Sequence, residues 1–145
     1  RVGHNPMVER WHDIPKDTDI IIVFGGTNDC LFENKWEFGH IEYDLRMNKE
    51  TFCGDLDEMA SGMKYVYKDH NEGKEVKFLY INPPSTILND SVYAMDTGNM
   101  VHQKTFAEAI NTIVPPYGFE VIDLYNPSKA YSSAHTILYN QSILW

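Results

Sequence analysis

The residues best placed to do chemistry are an amide and a carboxylate that follow a glycine pair. Gly25 and Gly26 end an apolar run, and Thr27, Asn28 and Asp29 come directly after them. Glycine permits positive φ and lets the backbone approach a ligand closely. An asparagine at such a turn can donate a side-chain N–H to a carbonyl oxygen that turns anionic, an interaction worth about 3 to 4 kcal/mol. The sequence therefore suggests an oxyanion-stabilising amide.

A plain strand-to-loop turn is the alternative interpretation of this stretch. Gly, Asn and Asp are the commonest turn residues for conformational reasons alone, and Asp29 could simply brace the loop. A phosphate-binding loop is disfavoured, because no Lys-Ser or Lys-Thr pair and no third spaced glycine follows Gly26. The turn thus leaves a catalytic amide and a structural amide as the two possibilities.

Composition sets broad limits on the class of protein. The chain has 145 residues, of which 43% are hydrophobic and 13% aromatic, as in a single folded domain over residues 1–145. The net charge of −9, without a basic cluster, argues against nucleic acid as a partner. No apolar run is long enough to span a bilayer. Two cysteines are too few for a disulfide scaffold.

Helices and strands alternate in the predicted secondary structure. Apolar residues at spacings of three and four predict helices, and short apolar runs bounded by Gly and Pro predict strands. A long polar stretch, 31–50, is predicted to be a loop or lid, and the region about 133–144 to be helix or turn. We predict helices over 5–13, 51–70 and 101–114, and strands over 19–25, 75–81 and 119–124.

This order predicts an α/β fold with a parallel sheet and helices on both of its faces. The first strand, 19–25, is a continuous apolar run, as expected for a strand covered on both faces. Ligands bind beyond the carboxyl ends of such strands. The glycine turn and the loop that begins at Asn82 lie at such ends.

The run DIIIVFGGTND, residues 19–29, resembles the third sequence block of the SGNH (GDSL-type) hydrolases. The segments that flank it are similar to the same template, in order, as far as residue 126. The resemblance implies a three-layer α/β/α sandwich of flavodoxin-like type. It also implies that Asn28 donates to the oxyanion hole, and that Gly26, Thr27 and Asp29 contact the substrate.

Other blocks of that family are not found in the sequence. The nucleophilic serine of a Gly-Asp-Ser block and a second-block glycine would precede Arg1, so we expect the domain to be incomplete at its N-terminus. The Asp-x-x-His block is also absent. His135, three residues after Ser132, is either the catalytic base or an exposed capping residue. A serine without a base is a poor nucleophile, so we expect this chain to be inactive alone.

The family's strand order, 2-1-3-4-5, has a consequence for the sheet edge. Without the first two strands, the apolar edge of Ile20–Phe24 is unpaired, which is an association hazard. We expect it to pair with the missing N-terminal segment, another copy or a partner chain.

The resemblance implies a serine esterase or acylhydrolase that acts on a small-molecule or carbohydrate ester, or on a lipid ester, without cofactor. The alternative, from another class, is a non-catalytic α/β module that binds carbohydrate. Cys30 lacks a cationic neighbour that would activate its thiol. His40, Glu42 and Asp44 alternate as metal ligands could, but a single histidine favours a solvated surface. We therefore predict no metal site.

Overall fold

Three parallel strands form a sheet in the order β1, β2, β3. A computed structural model describes residues 7–26, 29, 37–41, 50–71, 73–85 and 103–127. The register places Ile22 beside Leu79 and Ile81 beside Ile122. The predicted strands and their parallel arrangement are confirmed, with slightly shorter bounds. These are β1 (Ile20–Phe24), β2 (Lys77–Ile81) and β3 (Phe119–Ile122).

One helix precedes β1 and one lies in each connection between strands, where the sequence predicts them. None of those described is long and apolar enough to cross a membrane. The prolines at 115 and 116 end the helix between β2 and β3, because a proline in a helix interior removes a backbone donor and clashes with the preceding turn. The helices are α1 (Met7–Arg10, continued as a 3-10 turn over Trp11–Asp13), α2 (Phe52–Lys64, continued as a π turn over Tyr65–Asp69) and α3 (Gln103–Ile113, followed by a 3-10 turn over Pro115–Tyr117).

Thr51 fixes the start of α2. Its hydroxyl oxygen accepts a hydrogen bond from the Gly54 N–H at 3.0 Å, which satisfies one of the unpaired donors of the first turn. The preceding segment is attached to the same turn, since the backbone N–H of Phe52 donates to the Glu37 carbonyl at 3.0 Å. Phe38 packs edge-on against Phe106 of α3, with ring centroids 5.0 Å apart. At least this part of the predicted loop or lid therefore packs on the body.

One apolar core lies between the sheet and the helices. The strands contribute alternate residues to it, and all three helices contribute the rest. Gly62 of α2 has no side chain because the Trp11 ring occupies that space, and a Cβ at Gly62 would lie 2.5 Å from Trp11 Cζ2. The strand residues in the core are Ile21, Val23, Phe78, Tyr80 and Phe119.

The expectation that the first strand is covered on both faces is wrong for the described residues. Its burial alternates along Ile20–Phe24, and Ile20, Ile22 and Phe24 are all more than half exposed. The described helices pack in one core with the alternate strand residues, such as Ile21 and Val23 of β1. These helices therefore all lie on one face of the sheet. A second helical layer remains a prediction. The unpaired outer edge of β1 agrees with the expected sheet order.

Candidate functional site

The candidate site lies at the carboxyl edge of the sheet, where β1 runs into the glycine pair. Gly26 has φ +100°, a conformation that side chains rarely adopt. A Cβ at Gly26 would lie 3.2 Å from Ile110 Cδ1 and 3.6 Å from Pro83 Cδ. The predicted positive φ is thus confirmed at Gly26. The close approach is to the protein itself, which brings the end of β1 against α3 and the loop after β2.

Gly25 is surrounded by the protein itself, whereas the sequence suggests that its backbone approaches a ligand. The methyl group of Met7 occupies the space that a Cβ would fill, and the hydroxyl oxygen of Tyr80 would lie 3.3 Å from that Cβ. The backbone at Gly25 is therefore closed off by α1 and β2. Packing, and not ligand access, explains the glycine at this position.

Asp29 lies three residues after Gly26, where the first described part of the turn ends, and is partly buried. Burial raises the pKa of its carboxyl group, a hydrogen bond from its own backbone opposes this, and the nearby Asp55 carboxylate raises the pKa further. The pKa of the Tyr80 hydroxyl is also raised, mainly by burial and to a smaller extent by the negative charge of Asp29. Asp29 is thus held in a poorly solvated environment beside a second carboxylate, that of Asp55.

Three of the predicted site residues lie outside the described part of the chain. These are Thr27, Asn28 and His135. Gly26 and Asp29 flank the first two, so the described residues give the entry to the turn and its exit. The roles of Asn28 and His135 remain predictions.

A buried asparagine that sequence analysis did not single out joins the loops after β2 and β3. Asn82 is fully buried, with 0% exposure. Its Nδ2 donates to Asp123 Oδ1 at 2.9 Å and to Asn111 Oδ1 at 3.1 Å. Its Oδ1 accepts from the backbone N–H groups of Leu124 at 2.7 Å and Tyr125 at 3.1 Å. All four hydrogen-bonding positions of this amide are used.

Asp123 is the charged partner in this network. Burial raises the pKa of its carboxyl group, but hydrogen bonds from the Asn82 and Asn126 side chains and from the Asn126 and Tyr125 backbones outweigh this and lower it. Asn126 Nδ2 lies 2.6 Å from Asp123 Oδ2. The carboxylate is therefore ionised and occupied by internal donors. It orders the loop after β3 and is poorly placed to act as a base.

The only signal for this network in the sequence is an asparagine between a strand and two prolines. Asn82 follows β2 directly, and Pro83 and Pro84 come next. The loop after β2 has a second attachment to α3, because Gln103 Nε2 donates to the Pro84 carbonyl at 2.7 Å. Both loops at this edge are thus fixed by buried amides.

Cysteine and metal chemistry find little support in the described residues. Burial raises the pKa of the Cys53 thiol to about 12, so it is protonated and unreactive at neutral pH. No three His, Cys, Asp or Glu residues lie together as a metal site within the described ranges. His40 is exposed, while Cys30, Glu42 and Asp44 are outside those ranges.

Comparison with known proteins finds a structural similarity but no activity. No family model matches the chain. No curated protein matches it significantly. A protein from Lactobacillus plantarum, whose crystal structure was determined by a structural genomics consortium, is similar with a TM-score of 0.66 and 25% sequence identity. The similarity covers 92% of this chain and 62% of that protein, so the chain spans less than two thirds of its length.

Proposed function

We propose that this chain is part of an SGNH-type ester hydrolase in which Asn28 stabilises the anionic oxygen of the tetrahedral intermediate. The observation that carries the proposal is the geometry at Gly26. Its φ of +100° turns the chain sharply at the carboxyl end of β1, two residues before Asn28. Ligand sites in parallel sheets lie beyond these strand ends. The sequence GTND from Gly26 to Asp29 supplies the family resemblance.

The surrounding residues support this role because they hold the edge of the sheet rigid. An oxyanion donor is effective when it is oriented in advance and needs no rearrangement during the reaction. Ile110 and Pro83 pack against Gly26, and Asn82 fixes the next loop along the sheet. In this proposal, the buried Gly26 sets the turn, and Thr27 and Asp29 border the substrate beside Asn28.

The proposed substrate is a neutral ester of a carbohydrate or lipid. A net charge of −9 disfavours a polyanionic substrate. The finer fold that we propose is the three-layer α/β/α sandwich, in which further strands pair with the free edge of β1. The nucleophile is not assigned to a serine of this chain, and His135 is the proposed base.

The proposal is tested by hydrolysis of p-nitrophenyl acetate with the full-length protein and with Asn28→Ala. Removal of one oxyanion donor is expected to lower kcat by about a hundredfold or more. Asn71→Ala is the matched control, because Asn71 is also an amide but precedes β2, away from the carboxyl edge. An equal kcat in the Asn28→Ala and Asn71→Ala proteins would remove Asn28 from the mechanism.

The second candidate is a non-catalytic carbohydrate-binding module. It retains the same sheet edge as a binding surface. Incubation with an acetylated oligosaccharide distinguishes the two functions. The binding module should bind it in calorimetry without releasing acetate, whereas the hydrolase should release acetate.

A further inference from the structure

Three phenylalanine rings form a cluster where the first turns of α2 and α3 meet. Phe52 of α2 and Phe106 of α3 are in edge contact, with ring centroids 4.7 Å apart. Phe38 packs on both rings, 5.8 Å from Phe52 and 5.0 Å from Phe106 between centroids. Phe106 is buried, whereas Phe38 and Phe52 keep part of their surface exposed. We call these three residues the phenylalanine cluster.

The helix α3 carries Phe106 past the end of the sheet. Gln103, at the start of α3, donates to the Pro84 carbonyl in the loop after β2, so α3 begins at the carboxyl edge and runs away from it. Ile110 lies against the glycine turn, since its Cδ1 is 3.2 Å from the position of a Cβ at Gly26. Phe106 comes one helical turn earlier, which places it about 6 Å further out along the helix axis than Ile110.

The helix α2 brings Phe52 to the same place. Lys68, just beyond α2, donates to the Gly118 carbonyl before β3 at 3.1 Å, so α2 also runs away from the carboxyl edge. The negative charge of Asp55 raises the pKa of Asp29, which places the first turn of α2 near the exit of the glycine turn. Phe52 comes three residues before Asp55 and lies about 4.5 Å further out. The phenylalanine cluster therefore borders the space beyond the glycine turn.

Backbone hydrogen bonds hold Phe38 in the cluster. The Phe52 N–H donates to the Glu37 carbonyl at 3.0 Å. The Cys53 N–H donates to the Phe38 carbonyl at the same distance. A surface that is already ordered loses little conformational freedom when a ligand binds to it. The cluster is thus a preformed apolar wall on the helical side of the candidate site.

We propose that the phenylalanine cluster binds the acyl chain of the ester, so that the preferred substrate carries an apolar acyl group of several carbons. This inference rests on the proposed hydrolase function. Phenylalanine has no polar group, unlike Tyr and Trp, so the exposed part of the cluster suits an alkyl chain better than sugar hydroxyl groups. The negative charge of Asp55, three residues from Phe52, disfavours an ionised fatty acid. The ligand is therefore the neutral ester, and the acid product is released.

Rates of hydrolysis of p-nitrophenyl acetate and p-nitrophenyl butanoate by the full-length protein test the proposal. The two additional methylene groups of butanoate should raise kcat/KM by about tenfold, at up to about fourfold each. Phe38→Ala should lower this preference to about twofold or less and leave kcat/KM for the acetate nearly unchanged. Phe38→Leu keeps an apolar side chain and should retain most of the preference, which separates loss of contact from loss of fold.

Tyr65→Ala is the matched control, because Tyr65 is an aromatic residue that is 59% exposed on the π turn at the other end of α2. This variant should keep the full preference for butanoate. An equal loss of preference in Tyr65→Ala and Phe38→Ala would refute the assignment of the acyl chain to the phenylalanine cluster.

An NMR titration with two ketones gives a readout that needs no hydrolysis. 2-Heptanone is neutral and carries an alkyl chain on its carbonyl carbon, whereas acetone has no chain. 2-Heptanone should shift the ring protons of Phe38 and Phe52 in a saturable manner, and acetone should not.

The two measurements distinguish failure of the acyl site from failure of the proposed function. Equal kcat/KM for both esters, or rings that do not respond to 2-heptanone, would overturn the acyl site and leave the hydrolase in place. Absence of hydrolysis would remove the proposed function and with it the acyl site. Saturable ring shifts would then show that the cluster binds alkyl chains without a reaction.

Discussion

Replacement of Asn82 by alanine should destabilise the fold by a large fraction of its total stability. The side chain is fully buried and makes four hydrogen bonds. Alanine leaves the Leu124 N–H without its acceptor, at a cost of about 1–2 kcal/mol, in the lower part of the range for an orphaned donor because this bond is only partly buried. Loss of the bond to the Asp123 carboxylate costs about 1.5–3 kcal/mol, because hydrogen bonds to charged groups are stronger.

The other two bonds of Asn82 add little to this sum. Tyr125 N–H still donates to Asp123 Oδ1 at 3.0 Å. Asn111 is exposed, so water replaces its lost partner. We therefore expect Asn82→Ala to lower the free energy of unfolding by about 2.5–5 kcal/mol. A typical domain has about 5–15 kcal/mol in total.

Urea denaturation followed by circular dichroism measures this difference. Asn111→Ala is the matched control, since it removes one bond of the same network at an exposed position and should cost about 1 kcal/mol or less. A cost for Asn82→Ala no larger than for Asn111→Ala would refute the assignment of Asn82 as the residue that joins the two loops.

The pH dependence gives an independent check of the same network. The folded pKa of Asp123 is lowered, so the stabilisation it provides is present above its ordinary pKa and is lost as the pH falls through the folded value. Without Asn82 one of its donors is gone, and the pKa of Asp123 should rise in an NMR titration. The free energies of unfolding of the wild type and of Asn82→Ala should therefore move closer together at acidic pH, where Asp123 is protonated in both proteins.

Two further predictions concern the glycine turn. Gly26→Ala should destabilise the fold by about 1–3 kcal/mol in urea, because φ +100° is strained for alanine and Ile110 lies 3.2 Å from the new Cβ; a neutral effect would contradict the described turn. The free energy of unfolding of Asp29→Asn should rise relative to that of the wild type as the pH rises from 3.8 to 7. Over this range the wild-type carboxyl group ionises readily in the unfolded chain, whereas its raised pKa makes ionisation unfavourable in the folded protein. Parallel stability curves of the two proteins over that range would show that Asp29 is not buried as described.

Local sequence patterns suffice for most of the elements. The apolar spacing of Leu56, Met59 and Met63 predicts α2, and those residues are buried in the core. The run Ile20–Phe24 predicts β1 but does not predict that one of its faces is exposed. A continuous apolar run looks the same whether helices cover one face of the strand or both. That distinction depends on the order of the strands in the sheet.

Contacts between distant residues explain what sequence analysis missed at the site. Asn82 finds its partners at Asn111 and Asp123, which are 29 and 41 residues away. The space beside Gly25 is filled by Met7, which belongs to another element. No local pattern encodes either contact, whereas the positive φ of Gly26 follows from the glycine itself.

The position of the Asn28 amide tests the proposed hydrolase most directly. In ¹⁵N-edited NMR spectra of the full-length protein, the Asn28 side-chain signals can be assigned by their loss in Asn28→Asp. Titration with an alkylphosphonate, an analogue of the tetrahedral oxyanion, should shift one of the two Asn28 amide protons downfield in a saturable manner. An Asn28 amide that does not respond, and that is already protected from exchange by internal hydrogen bonds, would contradict its role in the oxyanion hole.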